Sequence, residues 1–483
     1  MNTRRLVWLA IILSMTAFTP SVDQSGNAQE SRDSRSCSSL AVATAPLAPG
    51  SPLVSNQVVL TRPDGTPVMS APFTQPARVW PASFEGRALV RSLGSDYGVF
   101  DLETETITLL EFPGSEPGAI DPNSVQFIES HGQRFHLLGD AAKVTGYLID
   151  LKFGMSLSLQ DLLEAPELIV SGIVSANDHW LAFSTSSQLY LVDLTSIGPA
   201  VAIEADLRTG NPIFTTDGKS LIYLRESGPQ RSDLVLWDLE TDARRVIAPA
   251  AGWFGARMFP GDILIAYQEG SLVRIPLDGG DPQTIVESPG TLEPVSIDTS
   301  GVTLLVRQNT GNETAWFLAT LDGSTITKLE SLNGLRILTP NAQANWALFT
   351  INDTTGPGAP GVPYVSLDLQ RGTTATLLTQ DSAAVYAPGI DSAADGQYHL
   401  VQSIDREHGR LWLIDGAAES GTLVAEYPGN VIGALSPGGC YLAVSTFAAL
   451  GEGRQGQVEI RDLLSGEVTA TVSDAVALGW VRL

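Results

Sequence analysis

The 483-residue chain is short of lysine, and this shortage argues against one class of partner. Lysine occurs only at Lys143, Lys152, Lys219 and Lys328, and 53 acidic residues against 28 basic ones give a formal net charge of -25. Nucleic acids and anionic membrane surfaces are bound by clustered cations that displace counterions. We therefore expect no nucleic-acid partner.

Sequence signatures of catalysis and of metal binding are also missing. No Gly-x-Ser-x-Gly nucleophile elbow occurs, and we expect no hydrolase half beside the repeats described below. The Asp-rich segments 352–356 and 391–396 lack the alternating ligand spacing of a calcium loop, so we interpret them as ordinary turns. The sequence predicts no catalytic residue, no metal ligand and no cofactor.

The chain is rich in one repeated phrase: an apolar, β-branched run, usually Asp-Leu, a polar turn, and a second apolar run. Its nine copies are marked by Asp101, Asp150, Asp193, Asp238, Pro276, Thr320, Asp368, Asp415 and Asp462. The steps between these positions run from 38 to 49 residues. One four-stranded propeller blade takes roughly 40 to 50 residues, so each copy corresponds to one blade.

Within each phrase, apolar and polar residues alternate with the period of a strand that is packed on one face. The Asp then opens a turn, because its carboxylate can accept hydrogen bonds from the next backbone N–H groups. A second strand–turn–strand pattern precedes most copies by about 25 to 30 residues, a spacing that suits blade geometry. Examples are 212–224, 295–306, 389–401 and 434–444. Together the two hairpins predict four strands per blade.

This pattern resembles the TolB-like and WD-repeat β-propellers, and the propeller halves of prolyl-oligopeptidase-type proteins. The resemblance covers nearly all of residues 75–483, and its clearest marks are the Asp-Gly turn at 217–218 and the pair Trp237-Asp238. It implies the fold, whereas function stays open because such propellers serve binding, scaffolding and enzymatic roles alike.

The two ends of the repeat region are complementary. Segment 476–483 reads as an inner strand without partners, while 39–45 and 56–69 read as strands without an inner one. One shared blade would close the ring and remove its exposed edges. We predict an all-β fold over residues 39–483: a single closed β-propeller of 8 to 10 four-stranded blades, with helical signal only at 159–168.

The N-terminal segment predicts export. A basic start, MNTRR, precedes the apolar run 6–18, which is too short to span a bilayer. We therefore predict a signal peptide at 1–28, a flexible linker at 29–38, and a secreted or periplasmic mature protein without a transmembrane segment. In an oxidising compartment Cys37 and Cys440 can form a disulfide, with two unpaired thiols as the alternative.

Arginines recur on the predicted inner strands. Arg78, Arg257, Arg336 and Arg482 could line the channel and bind a carboxylate, a phosphate or an acidic peptide, with Trp80, Trp253 and Trp480 around them. The favoured alternative is that they pair with nearby Asp or Glu or extend out of the sheet into solvent. The histidines, which fall on no predicted inner strand, are interpreted as surface or hairpin residues: His131, His136, His179, His399 and His408.

The sequence favours a non-catalytic scaffold that binds a protein, a peptide or a small anionic ligand. One alternative is a metal-dependent enzyme of the lactonase or lyase type with a site in the central channel. Another is a structural protein of the cell envelope.

Overall fold

The computed structural model describes residues 40–482 except 48–55, 81–83, 93–95, 113–124, 129–133, 141–144, 164–168, 186, 204–211, 230, 252, 269, 312, 342–344, 352–362, 380–384, 393–397, 405–407, 416–419, 429 and 448–455. The described part contains forty β-strands and two short 3₁₀ helices, Leu159–Leu162 and Glu330–Leu332. The first of these lies where the sequence showed helical signal. In this part of the chain no helix is long and apolar enough to cross a membrane.

The strands form ten four-stranded antiparallel sheets, the blades, written here from the inner to the outer strand. Blade 1 is β40 (Ala475–Arg482), β1 (Leu40–Pro46), β2 (Gln57–Thr61) and β3 (Pro67–Pro72). Blade 2 is β4 (Pro76–Val79), β5 (Arg87–Ser92), β6 (Tyr97–Asp101) and β7 (Thr106–Leu109). Blade 3 is β8 (Val125–Ile128), β9 (Phe135–Asp140), β10 (Thr145–Asp150) and β11 (Met155–Ser158). Blade 4 is β12 (Ile169–Val174), β13 (Trp180–Thr185), β14 (Leu189–Asp193) and β15 (Val201–Ile203). Blade 5 is β16 (Ile213–Phe214), β17 (Ser220–Gly228), β18 (Arg231–Asp238) and β19 (Ala243–Ala251).

The remaining blades repeat the same order. Blade 6 is β20 (Trp253–Phe259), β21 (Ile263–Gln268), β22 (Ser271–Ile275) and β23 (Gln283–Glu287). Blade 7 is β24 (Thr291–Ile297), β25 (Thr303–Thr310), β26 (Glu313–Thr320) and β27 (Ile326–Lys328). Blade 8 is β28 (Leu335–Asn341), β29 (Trp346–Ile351), β30 (Pro363–Asp368) and β31 (Thr374–Thr379). Blade 9 is β32 (Val385–Ser392), β33 (Tyr398–Ile404), β34 (His408–Asp415) and β35 (Ser420–Pro428). Blade 10 is β36 (Asn430–Leu435), β37 (Tyr441–Phe447), β38 (Gly456–Asp462) and β39 (Val468–Ser473).

Blade 1 joins the two ends of the chain. Its inner strand β40 pairs antiparallel with β1, from Leu40 opposite Arg482 to Pro46 opposite Ala475. The predicted closed all-β propeller is confirmed, and so is the blade shared by the two ends. Ten blades is the upper limit of the predicted number.

The hydrophobic core is distributed over the seams between neighbouring blades. Ten clusters of buried residues occur, one for each neighbouring pair, including the seam between blades 10 and 1. Because blades stack face to face, a second strand such as β13 is buried at nearly every position. The expectation of one packed face per strand is therefore wrong for the interior strands.

The repeated Asp residues act as the sequence predicted. Asp238 ends β18 and accepts hydrogen bonds from the N–H groups of Glu240 and Thr241 at 3.0 and 2.9 Å. Asp462 makes the corresponding pair of bonds in blade 10, and Asp101 and Asp368 do so in blades 2 and 8. Each carboxylate thus fixes the turn between the third and fourth strands.

A second set of polar residues links neighbouring blades. Asp262 and Asn345 lie in turns between first and second strands with φ of 56° and 55°. Asp262 accepts bonds from the N–H and Oγ1 of Thr216 in blade 5 at 3.0 and 2.6 Å, and Asn345 accepts from the N–H of Thr299 in blade 7 at 2.6 Å. These bonds span 46 residues, about one repeat, and align each turn with that of the preceding blade.

Candidate functional site

The four candidate arginines all lie on inner strands. Arg78 is on β4, Arg257 on β20, Arg336 on β28 and Arg482 on β40. Arg336 is the second residue of its strand, whereas Arg482 is the last of its strand. Because every blade repeats the same strand order around the ring, the inner strands run in one direction and these positions are staggered along the channel. A shared anion site made by all four residues stays a prediction.

The tryptophans near these arginines differ in their surroundings. The Arg78 guanidinium lies 5.1 Å from the centre of the Trp80 ring, and Arg78 faces Arg91 across the β4–β5 pair. Trp480 is instead buried, and its Nε1 donates a hydrogen bond to the Ala434 carbonyl at 2.9 Å. Trp480 is therefore a core residue of the blade 10–1 seam, which corrects its expected place around an anion site.

Arg257 lines a cleft of about 610 Å³ between blades 6 and 7. Blade 6 contributes Gly255, Ala256, Arg257, Ile265 and Tyr267, and blade 7 contributes Thr291, Leu292, Glu293 and Pro294. Polar and apolar groups both contribute to its lining. Its volume lies within the range of small-molecule sites, about 300 to 1,000 Å³.

Polar contacts fix the geometry of the cleft. The Tyr267 hydroxyl on blade 6 donates to the carbonyl of Gly290, which precedes the inner strand of blade 7, at 3.0 Å. It also accepts the N–H of Gly270 at 3.2 Å. Arg257 reaches across with its Nη1 at 3.4 Å from the Pro294 carbonyl, and its guanidinium lies 5.3 Å from the centre of the Phe259 ring. The charged group is therefore held at the boundary of two blades.

The sequence identified Arg257 but missed Tyr267, Thr291 and the cleft itself. These residues come from different blades, and no local sequence pattern predicts that they are close in space. Gly255 was the available signal, because a glycine weakens a strand interior and often marks a close approach or an open space. A side-chain Cβ added there would meet no atom within 4 Å.

The described histidines lie on second or third strands or in a turn. His136 is on β9, His399 on β33 and His408 on β34, while His179 is in an exposed turn; His131 lies outside the described residues. None of the four is on an inner strand, as expected. His399 is nevertheless only 2% exposed, so its interpretation as a surface or hairpin residue is wrong.

His399 lies in the seam between blades 8 and 9. Its ring meets that of Trp346 edge to face, with 5.0 Å between centroids and an interplanar angle of 84°. His399 Nε2 and Trp346 Nε1 are both buried without a hydrogen-bond partner. Burial lowers the pKa of His399 to about 3 from an ordinary 6.5. The imidazole is consequently neutral in the folded protein at physiological pH.

A metal centre finds no support in the described residues, which contain no group of three or more His, Cys, Asp or Glu placed to hold an ion. Of the Asp-rich turns, residues 391 and 392 end β32, and 352–356 and 393–396 lie outside the described part.

Cys440, which immediately precedes β37, is buried and disulfide-bonded. The only other cysteine in the sequence is Cys37, which lies outside the described residues, so the pair Cys37–Cys440 stays a prediction.

We expect a non-reduced digest of the exported protein to contain one cross-linked peptide that holds both cysteines. Restricting so long a loop of the unfolded chain should contribute about 2 to 5 kcal/mol, so Cys37→Ser is expected to lower the free energy of unfolding by that amount. Mass mapping after alkylation is the measurement. Separate, fully alkylated peptides would refute the pairing.

Comparison with known proteins leaves the function open. No protein-family model and no curated protein matches the chain. Similar solved structures include a putative TolB from Agrobacterium tumefaciens, with 15% identity and a TM-score of 0.27 over 52% of this chain and 94% of that one. The Cps50 (Swd1) β-propeller domain of Myceliophteria thermophila has 14% identity and a TM-score of 0.34 over 58% of this chain and 93% of that one. An oligogalacturonate lyase from Vibrio parahaemolyticus has 12% identity and a TM-score of 0.35 over 78% of this chain and 94% of that one.

The ten four-stranded blades themselves confirm the fold-level resemblance to propellers. At such low identities the similarity concerns the fold alone, and it does not separate a binding protein from an enzyme.

Proposed function

We propose that the protein is an extracytoplasmic, non-catalytic β-propeller that binds a small anionic ligand, a peptide or a protein segment in the cleft between blades 6 and 7. The observation that carries this proposal is the cleft itself. A guanidinium, a tyrosine hydroxyl and apolar walls converge there in about 610 Å³. Guanidinium forks match planar anions in geometry and in charge.

Two features support the proposed compartment. The N-terminal sequence has the basic start and short apolar run of a secretory signal. Cys440 is disulfide-bonded, and such bonds persist mainly in oxidising compartments. Both features support export, to the periplasm or outside the cell.

Two rival functions make different demands. A metal-dependent lactonase or lyase needs His, Asp and Glu side chains that converge on one point, whereas the charged groups lining the described cleft are Arg257 and Glu293. A structural protein of the cell envelope needs a broad partner surface and has no use for a cleft. The cleft therefore favours a binding role.

Replacement of Arg257 should weaken binding selectively. Hydrogen bonds to charged groups contribute about 1.5 to 3 kcal/mol, so Arg257→Gln is expected to reduce the affinity for a bound anion about 10- to 100-fold. A panel of carboxylates, phosphates and acidic peptides, measured by calorimetry on the purified mature protein, provides the test. Arg231→Gln, an exposed arginine on β18 of blade 5, is the matched control and should bind like wild type.

Metal analysis and turnover assays on ester and lactone substrates complete this test. Stoichiometric metal, together with activity that chelation abolishes, would show the enzymatic alternative to be correct. Equal binding by wild type and Arg257→Gln would remove the cleft from the proposal.

A further inference from the structure

The apolar walls of the cleft limit the body of its ligand. Ile265 on the blade 6 side and Leu292 on the blade 7 side belong to the buried cluster of this seam, and Tyr267 packs against it. Ile265 and Leu292 are buried beneath the cleft, so its accessible apolar surface comes from the partly exposed Tyr267, Pro294 and Ala256. Burying apolar area contributes about 25 cal/mol per Å², so the walls favour an aliphatic or aromatic ligand body over a sugar-like one.

The charged side chain of the cleft determines which charged group the ligand should carry. Arg257 is the only cation among the nine described residues that line the cleft. Contact with the Pro294 carbonyl and the Phe259 ring places its guanidinium at the seam. A carboxylate matches this fork with two parallel N–H···O bonds.

The remaining charges disfavour a ligand with more than one negative charge. Glu293, the acidic residue of the wall, is ion-paired with Arg307. The chain as a whole carries a formal charge of -25. A second negative charge on the ligand would meet no second guanidinium in the lining and would add repulsion from the protein's field.

We infer that the cleft binds an apolar monocarboxylate, in which one carboxylate pairs with Arg257 and a compact apolar body lies against Ala256, Tyr267 and Pro294. This inference rests on the proposed function and specifies the ligand class of the same cleft. The carboxylate can belong to a free carboxylic acid or to the C-terminus of an apolar peptide, since both present the same charged group and the same kind of body.

Four probes distinguish these chemistries in calorimetric titrations of the full mature protein: 3-phenylpropanoate, N-acetyl-leucyl-phenylalanine, the C-terminal amide of that peptide, and phenyl phosphate. At least one carboxylate should bind at least tenfold more tightly than both the amide and the phosphate. Tighter binding of the peptide identifies a C-terminus as the source, and tighter binding of 3-phenylpropanoate identifies a free acid. Equal or tighter binding of the amide or the phosphate would overturn the inference.

A cleft-filling variant tests the location. Gly255 and Gly228 both lie on strands, neither has a positive φ, and a Cβ added at either meets nothing within 4 Å. Gly255→Leu places a side chain in the cleft and should weaken carboxylate binding at least tenfold. Gly228→Leu, on β17 in blade 5, should leave it unchanged. Should Gly255→Leu melt at a lower temperature, Arg257→Gln decides the location instead.

Failure of the inference can be told apart from failure of the proposed function. If other anions of the panel bind in an Arg257-dependent manner and the carboxylate probes do not, the monocarboxylate inference is wrong and the binding function stands. If no compound depends on Arg257, both are wrong. Unchanged carboxylate binding by a stable Gly255→Leu variant would show that the ligand lies elsewhere.

Discussion

Deletion of residues 476–483 is expected to destroy the cooperative unfolding of the entire ring. The deleted segment contains almost all of β40, which supplies the inner strand of blade 1 and pairs with β1 along its length. It also carries Trp480, Val481 and Leu478, which belong to the seams on both sides of blade 1. Its loss therefore opens two seams at once.

The expected effect is large compared with the stability of a folded protein. Truncating a single buried Trp costs about 3 to 5 kcal/mol, and whole domains are stable by about 5 to 15 kcal/mol. Calorimetry should show a broad, weak transition for the truncated protein in place of one sharp transition. A truncated protein that melts like the intact one would contradict closure through the two ends.

Two glycine variants test the contribution of the blade 1–2 seam without removing any residues. Gly479 in β40 has φ of 144°, and an added Cβ would lie 2.3 Å from the Val79 carbonyl oxygen of blade 2. Gly466, in the last turn of blade 10, also has a positive φ of 73°, but an added Cβ there meets nothing within 4 Å. Gly479→Ala should lower the melting temperature clearly more than Gly466→Ala does. Equal losses would mean that the blade 1–2 seam contributes little.

Local turn chemistry explains why much of the fold could be predicted from the sequence. Asp238 and Asp462 determine their turns through hydrogen bonds to the backbone N–H groups two and three residues later. The hairpin can therefore be predicted from the residues of a single repeat. The incomplete ends could also be matched, because each lacked the strands that the other had. Fold and closure therefore depend on signals within single repeats.

The cleft and the buried histidine could not be predicted, because both depend on how blades stack. Tyr267 and Leu292 become neighbours only across a seam. His399 lies on a strand whose two faces are both covered. In the sequence it stands as a polar residue between the apolar Tyr398 and Leu400, a pattern that predicts an exposed position and gave no indication of its burial. Sequence patterns with period two report strands well, but they do not distinguish an exposed face from one that the next blade covers.

Acid sensitivity that depends on His399 is the second large effect that we expect. Burial lowers its pKa to about 3 in the folded protein, whereas an unfolded chain titrates near 6.5. Below pH 6.5 the His399 imidazole is therefore protonated in the unfolded state and neutral in the folded state. The free energy of unfolding consequently falls as pH falls. Each pH unit between these two values costs about 1.4 kcal/mol, or about 5 kcal/mol over the whole window.

His399→Phe is expected to remove this contribution. A phenyl ring retains an edge for the Trp346 face and removes the buried Nε2 that has no hydrogen-bond partner. Near pH 7.5, where the wild-type imidazole is neutral in both states, the larger phenyl ring in this buried seam should cost about 1 to 3 kcal/mol. Between pH 7.5 and pH 4.5 the difference in the free energy of unfolding should shift by about 2 to 3 kcal/mol in favour of the variant, since only the wild type loses stability through this group.

Urea unfolding at pH 7.5, 5.5 and 4.5 measures this difference, with the wild type followed beside the variant so that acidic residues common to both cancel. His179→Phe is the control, because His179 is exposed in a turn. A difference between wild type and His399→Phe that stays constant from pH 7.5 to 4.5 would show that His399 takes up its proton without opening the seam. If this difference shifts in favour of the variant by about 1.4 kcal/mol for each pH unit below 6.5, protonation of His399 destabilises the seam between blades 8 and 9.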